Sequence, residues 1–91
     1  MHNLRNRNKV VASINQVDMS NLKMPMIAVH EHPDDFPEKC VARVFDLDKP
    51  TNVILIRDTV EELQEEIRKN TSKVFLLRGA EDVRTLVGVW V

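Results

Sequence analysis

The densest set of metal-binding and proton-transfer groups in the chain is the stretch His30-Glu31-His32-Pro33-Asp34-Asp35-Phe36-Pro37-Glu38-Lys39-Cys40. On an extended strand, residues i and i+2 point the same way. His30 and His32 would then present two neutral imidazoles side by side, acceptable ligands for zinc, nickel or copper. Asp34, with Asp35 or Cys40, would complete a candidate ligand set, and a metal-binding protein or small metal-dependent hydrolase is the function it would serve. Pro33 bends the chain directly behind His32. A proline-bounded loop at a strand end, its acids solvated, is the simpler account of the same residues.

The other reactive groups are weaker candidates. A nucleophilic cysteine needs a cation or a helix N-terminus to lower its pKa, whereas Cys40 begins a strand beside several acids, so a structural cysteine is expected. Asp46 and Asp48 have the types for a two-metal carboxylate pair, but aspartates flanking a turn ordinarily bond their own following backbone. Glu61, Glu62, Glu65 and Glu66 form an acidic helix face. Of these, Glu62, Glu65 and Glu66 are the candidates for docking a basic protein partner by charge complementarity, with plain solvation as the alternative. The two glycines, Gly79 and Gly88, fall in separate elements, so no glycine-rich phosphate loop is present. No catalytic residue and no cofactor is indicated. The residues favour a small non-enzymatic interaction module.

Composition bounds what can position these groups. With 91 residues, 43% of them hydrophobic and 30% charged, the chain suits one small folded domain. The formal net charge of -1 is unevenly spread. Residues 1 to 23 carry Arg5, Arg7, Lys9 and Lys23 against Asp18, and the remainder is mildly acidic. Nucleic-acid binding by the main domain is therefore disfavoured, because a phosphate backbone calls for clustered Lys and Arg. A single cysteine forms no intrachain disulfide, which points to a reducing compartment and a cytoplasmic protein. The basic start is followed by no sustained apolar run of signal or membrane-spanning length.

Residues 1–24 read as an N-terminal extension, either loose or folded into a short docking helix with Val10, Val11, Ile14 and Val17 at helical spacing. Residues 25–91 read as a single α+β domain. Met26-Ile27-Ala28-Val29 opens a first strand ending near His32. Cys40 to Phe45 alternates as a second, with Cys40, Ala42 and Val44 on one face. Asp46 to Asn52 is a turn, and Val53 to Ile56 a buried third strand. Asp58 or Thr59, with Glu61 or Glu62 three residues on, writes a capping box, and Val60, Leu63 and Ile67 make the apolar stripe of a helix. Lys73 to Arg78 is a fourth strand, residues 79–82 a turn, and Thr85 to Val91 a fifth strand. The order β-β-β-α-β-β gives a two-layer sandwich, a mostly antiparallel sheet with one helix packed on one face. The other face then needs cover, which suggests self-association, with the edge of the C-terminal strand pairing with its own copy.

The strand Ala42-Arg43-Val44-Phe45-Asp46-Leu47, its turn, the strand Val53 to Ile56 and the helix start Asp58-Thr59-Val60-Glu61-Glu62-Leu63 resemble the core of HicB-type antitoxin domains. The match runs in element order from Met26 to Arg68. It lacks the Pro-Gly-Cys turn of that family, having Asp46-Leu47-Asp48-Lys49-Pro50 in its place. The resemblance implies a partial ribonuclease-H-like ββαβ domain without ribonuclease activity, acting by antitoxin-like binding of a protein partner, a small toxin ribonuclease.

Overall fold

A computed structural model describes residues 8–79 and 84–91. Its elements are β1 (Lys9–Val11), β2 (Pro25–Glu31), β3 (Cys40–Asp46), β4 (Lys49–Arg57), α1 (Val60–Asn70), β5 (Phe75–Leu77) and β6 (Leu86–Trp90), with a single 3₁₀ turn at Ile14–Gln16. The strands form one open sheet in the order β1-β4-β3-β2-β6-β5, antiparallel throughout except for the parallel pair β1 and β4. The expected α+β architecture is present, with its helix on one face.

Alternation sorts the side chains. Ile27, Val29, Cys40, Ala42, Val44, Leu55 and Trp90 face the helix and pack with Leu63 and Ile67. Both helix residues are fully buried, so the apolar stripe read from the sequence is the one that contacts the sheet. The helix begins at Thr59, whose hydroxyl accepts from the Glu62 N–H at 3.1 Å while the Glu62 carboxylate accepts from the Thr59 and Asp58 N–H groups at 3.2 and 3.1 Å. Arg68 and Lys69 lie in its last turn, where cations suit the dipole.

Three expectations change. Val10, Val11, Ile14 and Val17 do not form a helix: the first two lie in β1 and Ile14 sits in the 3₁₀ turn. Val11 and Ile14 are core residues, so backbone pairing with β4 and burial outweigh a weak helical spacing. Of the turn expected over Asp46 to Asn52, Asp46 belongs to β3 and Lys49, Pro50, Thr51 and Asn52 to β4, the chain reversing at Leu47 and Asp48 alone. The C-terminal strand β6 is not an edge; it lies between β2 and β5. The turn expected at 79–82 falls largely outside the described residues. Among the described residues, no helix is long and apolar enough to cross a membrane.

At Gly88 in β6 a side chain has no room. A Cβ there would lie 2.8 Å from Cε1 of Phe75 and closer still to the Leu76 carbonyl oxygen. Phe75 cannot readily move aside, because its ring packs on Trp90 with centroids 5.2 Å apart. The carbonyl is fixed by the β5–β6 ladder. Gly88→Ala should therefore cost about 1–3 kcal/mol through overpacking, read as a lowered midpoint in urea unfolding.

Candidate functional site

The strand end that drew attention in the sequence is built differently from the histidine pair it suggested. Glu31 and Cys40 are directly opposed on β2 and β3 and share the helix-facing side of the sheet. His30, one residue earlier, points to the other face, where its Nδ1 lies 3.1 Å from the Thr85 hydroxyl. Burial, aided by Arg43 and opposed by Asp35, lowers the pKa of His30 and favours the neutral ring. Strict alternation would put His32 beside His30. Instead His32 adopts a left-handed backbone with φ of 51°, and its N–H donates to the Lys39 carbonyl at 3.0 Å, continuing the ladder for one more bond. The imidazole is thereby delivered to the Glu31 and Cys40 side.

Glu31, His32 and Cys40 place one donor atom each within 4.8 Å of one another, the one such three-donor cluster among the described residues. The set His30, His32 and Asp34 does not converge. Asp34 lies with Glu31, Arg84 and Thr85 around a shallow depression, and Asp35 forms an ion pair with Arg43. Between them, residues 33–39 fold into two successive turns, Phe36 N–H to Pro33 and Lys39 N–H to Phe36 at 2.9 and 3.1 Å. The Lys39 ammonium pairs with Asp58 at 2.5 Å. Cys40 is 1% exposed, and its thiol lies 3.8 Å from the Asp58 carbonyl. Burial pushes its pKa up, and Glu31, Glu61 and Asp58 push in the same direction against a His32 backbone hydrogen bond. Unless a cation displaces its proton, a thiol so placed is protonated and a poor nucleophile.

Glu62, Glu65 and Glu66 have intramolecular partners. Glu62 caps the helix, and Glu65 pairs with Arg68. Glu66 is a clasp for the N-terminal segment: its carboxylate accepts from the Ser13 hydroxyl at 2.6 Å and the Ile14 N–H at 2.9 Å, with Arg57 at 3.8 Å. The partner-binding set Glu62, Glu65 and Glu66 thus contains a residue that is largely used up in holding the fold. Asp46 accepts from the Met24 N–H at 2.8 Å, so it ties the end of β3 to the chain entering β2 rather than bonding its own following backbone.

On the sheet face away from the helix, Met26, Ala28, His30, Phe45, Leu86 and Val89 line an apolar groove of about 270 Å³. Leu47 stands at its lip, 59% exposed, as the first residue of the two-residue β3–β4 turn, with φ of 60°. A leucine there is disfavoured by its own Cβ. The sequence signalled neither Leu47 nor the partnership of Glu31 with Cys40, because a left-handed residue at a strand end leaves no mark in a period-two pattern.

Comparison of the chain with protein-family models, with curated proteins and with solved structures finds no match.

Two measurements follow from these contacts. The Ser13 hydroxyl first, then the Ile14 N–H, Arg57 and Lys69, lower the Glu66 pKa below its ordinary 4.5 against the desolvation that raises it. A depressed acid pKa gives stability that is complete above the unfolded value and is lost as pH falls through the folded one. Glu66→Gln should cost about 1–2 kcal/mol at neutral pH, and the gap from the unaltered chain should narrow in urea titrations taken below pH 4.5. Leu47→Gly removes the strained side chain and should leave stability unchanged or raise it by up to about 1 kcal/mol, read by the same method.

Proposed function

We propose that the chain is a non-enzymatic protein-interaction module of the cytoplasm, working as a homodimer joined along β5 and presenting its open sheet face to a protein partner. The observation that carries this is the character of the β5 edge. Val74, Leu76 and Leu77 are 61%, 53% and 79% exposed, in a strand with no described neighbour on its outer side. Val74 and Val91 exchange backbone hydrogen bonds of 2.9 and 2.8 Å, and the Arg78 N–H donates to Val87 at 3.2 Å. In an antiparallel ladder that register turns the N–H and C=O groups of Phe75 and Leu77 outward, ready to receive a strand. Lys73, a charge of the kind that commonly guards an edge, donates its ammonium inward to the Pro25 carbonyl at 2.6 Å.

A second copy meets these requirements with no like charges opposed. Two-fold pairing through the outward groups of Phe75 and Leu77 sets each opposite the other across the axis, and Leu76 opposite Leu76 of the second copy in a close, non-hydrogen-bonded pair. Arg78 then faces Val74. The open faces of the two sheets become continuous, so Leu76 extends the apolar surface that begins in the groove. Antitoxin-like capture of a protein partner on that surface is the role the resemblance adds, supported by the order β2, β3, β4, α1 across Met26 to Arg68.

Light scattering behind a sizing column tests the dimer. At micromolar protein the expected mass is twice that of the 10.5 kDa chain, and Leu76→Lys, which sets like charges across the axis, should return it to monomer with an unchanged circular dichroism spectrum. A monomer for the unaltered chain, or a dimer that survives the substitution, contradicts the proposal.

A further inference from the structure

The cluster at the end of β2 is unrelated to the β5 edge and has its own chemistry. We propose that Glu31, His32 and Cys40 form a binding site for one zinc-class divalent cation, held by a carboxylate, an imidazole and a thiolate. The donor set selects the ion class: thiolate and imidazole favour zinc and its borderline neighbours over magnesium or calcium, which take oxygen. Three protein donors leave a fourth tetrahedral position for water. Thiolate and carboxylate together offset the charge of a divalent ion.

Geometry supports the assignment at each donor. Cys40 is fixed by burial in the core, and Glu31 is its cross-strand partner. His32 reaches the same side through its left-handed backbone, a conformation a non-glycine residue adopts at a cost. The donors lie within 4.8 Å of one another, while zinc bond lengths of about 2.0–2.3 Å require roughly 3.3–3.8 Å between donors. Glu31 and His32 are exposed, so rotation of two surface side chains about a fixed sulfur closes the difference. The successive turns across residues 33–39 preorganise the approach. Glu61, in the first turn of the helix, adds negative potential that favours a cation, while the charge of Asp58 is offset by Lys39.

Cobalt(II) titration of the full chain, followed by displacement with zinc(II), tests the site. The expected result is one equivalent bound with a thiolate-to-cobalt charge-transfer band and a tetrahedral visible spectrum, both abolished by zinc. Cys40→Ser should remove the charge-transfer band. Because Cys40 is buried and that variant can unfold, His32→Ala and Glu31→Gln supply the independent arm: each lies at the surface and should weaken binding at least about tenfold, while His30→Ala leaves it unchanged. Displacement of the thiol proton should make affinity rise with pH through the neutral range. Absence of the charge-transfer band at saturating cobalt, or equal loss from His30→Ala and His32→Ala, overturns the assignment.

Discussion

One short helix has to serve a six-stranded sheet. At about 4.8 Å between strands the sheet is roughly 24 Å wide, whereas a helix of 11 residues is about 16 Å long and about 10 Å across. Leu63 and Ile67 can cover the middle strands and no more. Everything else in the architecture answers that shortage. On the helix side, the N-terminal segment comes in beside α1 and adds Val11 and Ile14 to the core. It is held there by Glu66, which is why a glutamate on the nominally solvated helix face is one of the more constrained acids in the chain. On the other side the cover is partial: Val41 and Ile54 are buried, whereas Met26, Phe45, Leu86 and Val89 line an open groove and β5 ends the sheet with exposed leucines.

Besides the register shifts at Val29/His30 and Arg43/Phe45, two left-handed residues, His32 and Leu47, stand just past the ends of β2 and β3. His32 lets the β2–β3 ladder run one bond past Glu31 and carries an imidazole around to the side of the buried thiol. Leu47 reverses the chain in two residues and raises an apolar side chain at the lip of the groove. A glycine or asparagine would meet either backbone requirement with less strain.

Much of the fold was legible in the sequence because its signals are local. The Thr59 and Glu62 capping box, the stripe of Leu63 and Ile67, and the alternation of Cys40, Ala42 and Val44 all act within a few residues, and each element formed where its pattern lay. What the sequence did not show is non-local. Lys9–Val11 is too short to carry a strand pattern, and its place is set by pairing with Val53–Leu55 far along the chain. The interior position of β6 follows from its pairing with β2, which no local pattern encodes. At the site, His32 and Cys40 were visible as candidates, but their partner was not His30. One backbone angle at residue 32 exchanged His30 for Glu31, and a period-two argument has no means of anticipating that exchange.

The β5 edge is proposed as a binding surface in solution. Residue-resolved amide hydrogen exchange, taken at low and high protein concentration, tests it most directly. If β5 pairs with a second copy, the N–H groups of Phe75 and Leu77 slow markedly as concentration rises, while the already paired Val74 and Leu76 change little. If Phe75 and Leu77 exchange at the same fast rate at every concentration, the edge stays open and the account is wrong.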